Sequence, residues 1–88
     1  LAWTIEYSNS SRKVLRKLDR QIVRRIVTFM DDRVAVSDNP RSLGKALAGP
    51  LDRYWSYRVG DYRLVCDIQD SVLTILVVDL GNRREIYR

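Results

Sequence analysis

The chain has 88 residues, 45% hydrophobic and 31% charged, which is enough for one small domain (residues 1–88) with a modest core. It carries 16 basic and 11 acidic residues for a net charge of +5, has no histidine, and has Cys66 as its single cysteine. Those absences exclude histidine-based ribonuclease or hydrolase chemistry, imidazole zinc sites and an internal disulfide, and no apolar run approaches the roughly 18 residues of a membrane span.

Any acid–base chemistry must therefore use Tyr, Arg, Lys, Asp or Glu. The lone thiol fits a reducing, cytoplasmic setting, and no stretch reads as a signal peptide. Thirteen of the basic residues are arginine, and the lysines are Lys13, Lys17 and Lys45. That bias suits bidentate phosphate contact, although a basic domain also suits an acidic protein partner.

In chain order, Trp3-Thr4-Ile5-Glu6-Tyr7 alternates apolar and polar and reads as a strand. Ser8-Asn9-Ser10-Ser11 supplies N-cap residues for a helix through Leu18, with Val14, Leu15 and Leu18 as its apolar stripe. Asp19 is a second N-cap, with Leu18 and Val23 in the positions of a hydrophobic staple. The second helix carries Ile22, Val23, Ile26, Val27, Phe29, Met30 and Val34, and should fade before Pro40. Residues 41–53 read mostly as loop. Two strands follow, joined at Gly60-Asp61, and Val72–Leu80 reads as a central strand covered on both faces. The expected fold is α+β, in the order βααβββ, with a helical hairpin on one face of a small, largely antiparallel sheet.

The hairpin carries the chemistry. A Gly-X turn of the type II′ kind at Gly60-Asp61 sets Arg58 directly opposite Arg63. Trp55, Tyr57, Val59, Tyr62, Leu64, Cys66 and Ile68 take the other, apolar face, and Cys66 becomes a buried structural thiol. Like charges across a ladder are destabilising unless an anion lies between them, so the pair reads as a phosphate clamp. The competing reading solvates these arginines or pairs them with Asp67 or Glu85. Tyr54 shares the clamp face and is placed to stack on a base.

Beyond the last strand, Arg83 and Tyr87 share a side whether the tail is helical or extended. Were that strand to lie beside the hairpin, Arg58, Arg63, Arg83 and Tyr87 would converge. RNA brings its own nucleophile, the 2′-hydroxyl. Arginines stabilise the charge of the attacked phosphate, and Tyr87 is the candidate base if nearby guanidinium groups lower its pKa. The competing reading of Tyr87 is a packed terminal ring. Between residues 10 and 25, Arg12, Lys13, Arg16, Lys17, Arg20, Arg24 and Arg25 stand against Asp19 alone. That excess suggests contact with a nucleic-acid backbone or an acidic partner.

The run Arg58-Val59-Gly60-Asp61-Tyr62-Arg63-Leu64-Val65, with Leu80-Gly81-Asn82-Arg83-Arg84-Glu85-Ile86-Tyr87 after a hydrophobic strand, resembles the RelE/ParE toxin superfamily of bacterial toxin–antitoxin modules. Resemblance to its RelE branch implies a metal-independent, cofactor-free endoribonuclease that cuts mRNA in the ribosomal A site. Arg63 would then bind the scissile phosphate, Arg83 would stabilise it and act as general acid, and Tyr87 would orient or deprotonate the 2′-hydroxyl. Arg58, Tyr54, Lys45, Arg12, Lys13, Arg16 and Lys17 would bind mRNA or the 16S rRNA backbone. The resemblance also implies a cognate antitoxin, through which alone operator DNA would be reached. The alternative branch implies a ParE-like toxin that inhibits DNA gyrase by protein binding. Two features depart from the RelE pattern: Tyr54-Trp55-Ser56-Tyr57 replaces a lysine-bearing stretch, and Asn82 stands where a basic residue or histidine is found.

Overall fold

A computed structural model describes residues 2–83. Strand β1 (Thr4–Tyr7) leads into helices α1 (Asn9–Lys17) and α2 (Arg20–Phe29), followed by strands β2 (Lys45–Ala46), β3 (Trp55–Val59), β4 (Tyr62–Gln69) and β5 (Thr74–Asn82). The sheet order is β1-β5-β4-β3-β2; β1 runs parallel to β5 and every other pairing is antiparallel. The α+β class and the helical hairpin on one sheet face are as expected.

The caps are the ones the sequence proposes. Ser8 Oγ accepts from the Ser11 N–H, and the Asp19 carboxylate accepts from the Gln21 N–H. The serines also have a tertiary role. Ser11, fully buried, donates through Oγ to the Val77 carbonyl at 2.9 Å, and the Ser8 hydroxyl lies 3.0 Å from the Val78 carbonyl. Here the β4–β5 register slips, pairing Val65 with Asp79 but Cys66 with Val77. The extra residue is a β-bulge, and the serines serve carbonyls beside it.

The core lies between the helices and the sheet. Ile26 and Met30 from the helical side meet Tyr57, Leu64, Cys66, Ile75 and Val77, all fully buried. The Phe29 and Tyr57 rings meet edge-on at 6.1 Å. Burial pushes the Cys66 thiol well above its ordinary range, as befits a structural cysteine.

Three expectations are corrected. The α-helical pattern of α2 ends at Phe29, and Met30–Val34 continues as a π-helical turn that still buries Met30 and Val34. Residues 41–53 are not mostly loop: they hold 3₁₀ turns at Pro40–Leu43 and Gly49–Leu51 and the edge strand β2, so the sheet has five strands. The last strand starts at Thr74, after a 3₁₀ turn in which Val72 is exposed, and it is not covered on both faces. Ile75 and Val77 face the helices, whereas Leu76 and Val78 are only half-buried. An apolar run marked an interior strand, since β1 and β4 flank it, but not a second covering layer.

Candidate active site

Gly60 sits at φ +59°, in the left-handed region, and Asp61 does not, which is the pattern of a Gly-X turn. The turn sets the register Val59–Tyr62, Arg58–Arg63 and Tyr57–Leu64. Arg58 and Arg63 therefore stand side by side on the sheet face away from the helices. Arg58 is exposed and donates through Nε to the Gly60 carbonyl at 3.3 Å. Arg63 is half-buried, and its guanidinium is held below its ordinary pKa, by burial first and then by repulsion from Arg83 and Arg58.

Strand β5 pairs with β4, placing Gly81 opposite Arg63 and Asn82 opposite Tyr62. Arg83 follows at once, and its backbone N–H donates to the Asp61 carbonyl at 2.9 Å. The condition for convergence is met: three arginines from β3, β4 and the end of β5 meet beside one turn. Asp67 accepts from the Gln69 side chain at 3.0 Å. Tyr87 and Glu85 lie outside the described residues.

Lys45 joins this group. Edge strand β2 pairs Lys45 with Ser56, on the same face as Arg58. A cavity of about 350 Å³ is lined by Lys45, Ser56, Arg58 and Arg63, together with Phe29 and residues 42–44. The edge strand thus brings a lysine to the cavity beside Arg58 and Arg63. Its placement depends on a tightly held approach. The Trp55 indole donates to the Arg41 carbonyl at 2.9 Å and the Tyr57 hydroxyl to the Pro40 carbonyl at 2.8 Å. A Cβ on Gly44 would come to within 2.3 Å of the Ser56 carbonyl. The Arg41 guanidinium makes a two-pronged ion pair with Asp70, at 2.9 and 2.7 Å.

Tyr54 also lies on this side, half-buried, with the Arg53 guanidinium 4.9 Å from its ring centre. It lines a second groove with Arg63. Arg12, Lys13, Arg16 and Lys17 are exposed on α1, in the helical layer across the sheet, and are not brought to the clamp. Arg25, one of the seven basic residues between residues 10 and 25, is placed differently from those of α1. Its guanidinium sits over Gly60, about 3.4 to 3.6 Å from where a Cβ would stand, and carries positive charge from α2 to the turn. Glycine is favoured at this turn by its φ of +59°, since a Cβ there would meet Arg25 only at ordinary contact distance.

The chain matches, over residues 5–87, the family model described as the ParE toxin of the type II toxin–antitoxin system parDE. Toxin RelG of Mycobacterium tuberculosis is 31% identical over 88 residues, covering 100% of this chain and 99% of that protein. Toxin RelE of the same organism is 32% identical over 74 residues, 84% of this chain and 74% of that protein. A chain of the M. tuberculosis toxin–antitoxin complex RelBE2 superposes with a TM-score of 0.85 at 27% identity, covering 97% of this chain and 95% of that one. The isolated E. coli RelE toxin shares the fold, at a TM-score of 0.72, 19% identity, and coverage of 98% and 92%. With the hairpin motif, the strand order and nearly the whole length in agreement, this chain belongs to the RelE/ParE superfamily, as a RelE-like toxin of a type II toxin–antitoxin system.

Proposed function

We propose that the toxin is a ribosome-dependent endoribonuclease that cleaves mRNA in the A site. The observation that carries this reading is one cationic cavity lined by Lys45, Arg58 and Arg63, with Arg83 close enough to perturb Arg63. In the proposed step the mRNA 2′-oxygen bonds to the adjacent phosphorus and the P–O5′ bond breaks, leaving a 2′,3′-cyclic phosphate and a 5′-hydroxyl. Arg63, flanked by Arg58 and Lys45, holds the non-bridging oxygens as negative charge builds. Arg83 stabilises the same charge and delivers a proton to the strongly basic 5′-oxygen. Tyr87 orients the 2′-hydroxyl or takes its proton. Guanidinium donors fixed before the reaction need no reorganisation, and losing one such donor costs about 10²–10³ in rate. This chemistry asks for neither metal nor cofactor.

The exposed basic residues of α1 are assigned to the 16S rRNA backbone, where a salt-dependent attraction would seat the toxin. As in the RelBE2 and archaeal RelE–RelB complexes, the protein partner is a cognate antitoxin, and operator DNA is reached only through it. The compartment is the cytoplasm, where ribosomes are.

One alternative is a ParE-like toxin that inhibits DNA gyrase by binding, without RNase activity; the matching family model is described as a ParE toxin. Inducing the toxin in growing cells separates the two. The endonuclease predicts truncated mRNAs with intact chromosomes, whereas DNA breaks and an SOS response with full-length mRNAs would move the assignment to gyrase.

A further inference from the structure

Arg63 lines two cavities, and only one of them is cationic. The other, about 370 Å³, lies on the same open sheet face and has apolar walls from Leu47, Leu51, Tyr54, Val65 and Val78. Its size falls at the lower end of the roughly 300–1,000 Å³ of small-ligand clefts. Among the described residues its charged groups are Arg63 and Asp79. An apolar slot and a cationic slot sharing one guanidinium have the chemistry of a nucleotide, whose flat apolar-faced base is tied through a sugar to a phosphate.

We infer that this groove seats a nucleobase next to the scissile phosphate and that Asp79 reads its edge; the inference rests on the RNA-cleaving function proposed above. Tyr54 supplies an aromatic wall with the Arg53 guanidinium already over its ring, and bases stack on such surfaces irrespective of sequence. Asp79 is aimed here by the β5 bulge, which turns both Val78 and Asp79 away from the core between buried Val77 and Leu80. One carboxylate oxygen, Oδ1, accepts the Leu80 N–H at 2.9 Å, which fixes the direction of the group. An ionised carboxylate only accepts, so it favours an edge bearing an amino group, as in cytosine, over the keto oxygen that uracil presents at the same position. Arg63, which lines both the groove and the cationic cavity, argues for a nucleotide over an unrelated apolar ligand.

The test is methyl NMR of the full chain titrated with cytidine 3′-monophosphate, uridine 3′-monophosphate, ribose 5-phosphate and inorganic phosphate. Both nucleotides should shift the methyl signals of Leu47, Leu51 and Val65, and the sugar phosphate should not. Cytidine monophosphate should bind about tenfold tighter than uridine monophosphate, the worth of one hydrogen bond to a charged acceptor. Asp79→Asn should erase most of that ratio, and Leu51→Ser should weaken both nucleotides while leaving inorganic phosphate unchanged. Nucleotides that bind no better than ribose 5-phosphate, or leave the groove methyls silent, would overturn the inference. So would groove methyls that answer only to an apolar–acidic antitoxin peptide. Because these ligands are not cleaved, base binding without ribosomal cleavage would sink the proposed function alone. Cleavage with silent groove methyls would sink only the base site.

Discussion

Arg63 is the residue on which the site turns. Burial and the nearby Arg58 and Arg83 all act against its charge, and a bound phosphate would relieve all three at once. Inorganic phosphate should therefore raise the melting temperature at low ionic strength, and Arg63→Ala should abolish that rise, as scanning calorimetry can read. A wild-type protein indifferent to phosphate would count against the clamp. Tyr7 is a separate case. Its hydroxyl is buried without a hydrogen-bond partner among the described residues, and burial first, then Asp31 and Cys66, push its pKa up to about 12. Tyr7→Phe should be neutral or stabilising by about 1 kcal/mol, because it removes an unsatisfied polar group and keeps the ring. Urea denaturation measures that difference, and a marked loss of stability would show a hidden partner for the hydroxyl.

At the level of elements, β2 shows most plainly what the sequence withholds. Lys45-Ala46 is too short to display alternation, and it becomes a strand because its neighbours hold it. Trp55 and Tyr57 bond the preceding carbonyls, and Gly44 lets the chain pass against Ser56. Gly44→Ala should cost about 1–3 kcal/mol through overpacking and displace Lys45, lowering cleavage beyond what the stability loss explains. Cleavage that merely tracks the folded fraction would show that β2 does not position Lys45. The caps were legible because Ser8 and Asp19 answer a local need, whereas the service of Ser8 and Ser11 to the bulge depends on a strand some 66 to 70 residues away. The π-helical turn was hidden for a similar reason: Met30 and Val34 keep their apolar spacing and stay buried whichever hydrogen-bond pattern links them.

On the scale of the whole molecule, period-2 and period-3.6 patterns sufficed for the α+β class and the helical hairpin, and the Gly60 turn sufficed for the Arg58–Arg63 pair. Lys45 could not be located beforehand, since its edge-strand position is set by tertiary contacts. The apolar run of β5 overstated its burial, because Leu76 and Val78 belong to a face that the helices do not cover. Stability should also report the buried phenols. Folding favours the neutral form of Tyr7, so its contribution is complete below pH about 10 and is lost as pH rises toward about 12. Burial pushes Tyr57 in the same direction. Unfolding free energy should thus fall through that alkaline window, and less steeply in Tyr7→Phe; equal slopes would show that Tyr7 is solvated.

The most direct test of the proposed activity adds purified toxin to ribosomes programmed with a defined mRNA and maps the 5′ ends by primer extension, with naked mRNA as control. Cuts within the A-site codon that require the ribosome, and that fall by about 10²–10³ in folded Arg83→Ala or Tyr87→Phe, are the expected result. Intact mRNA from a folded, ribosome-bound wild-type toxin would contradict it.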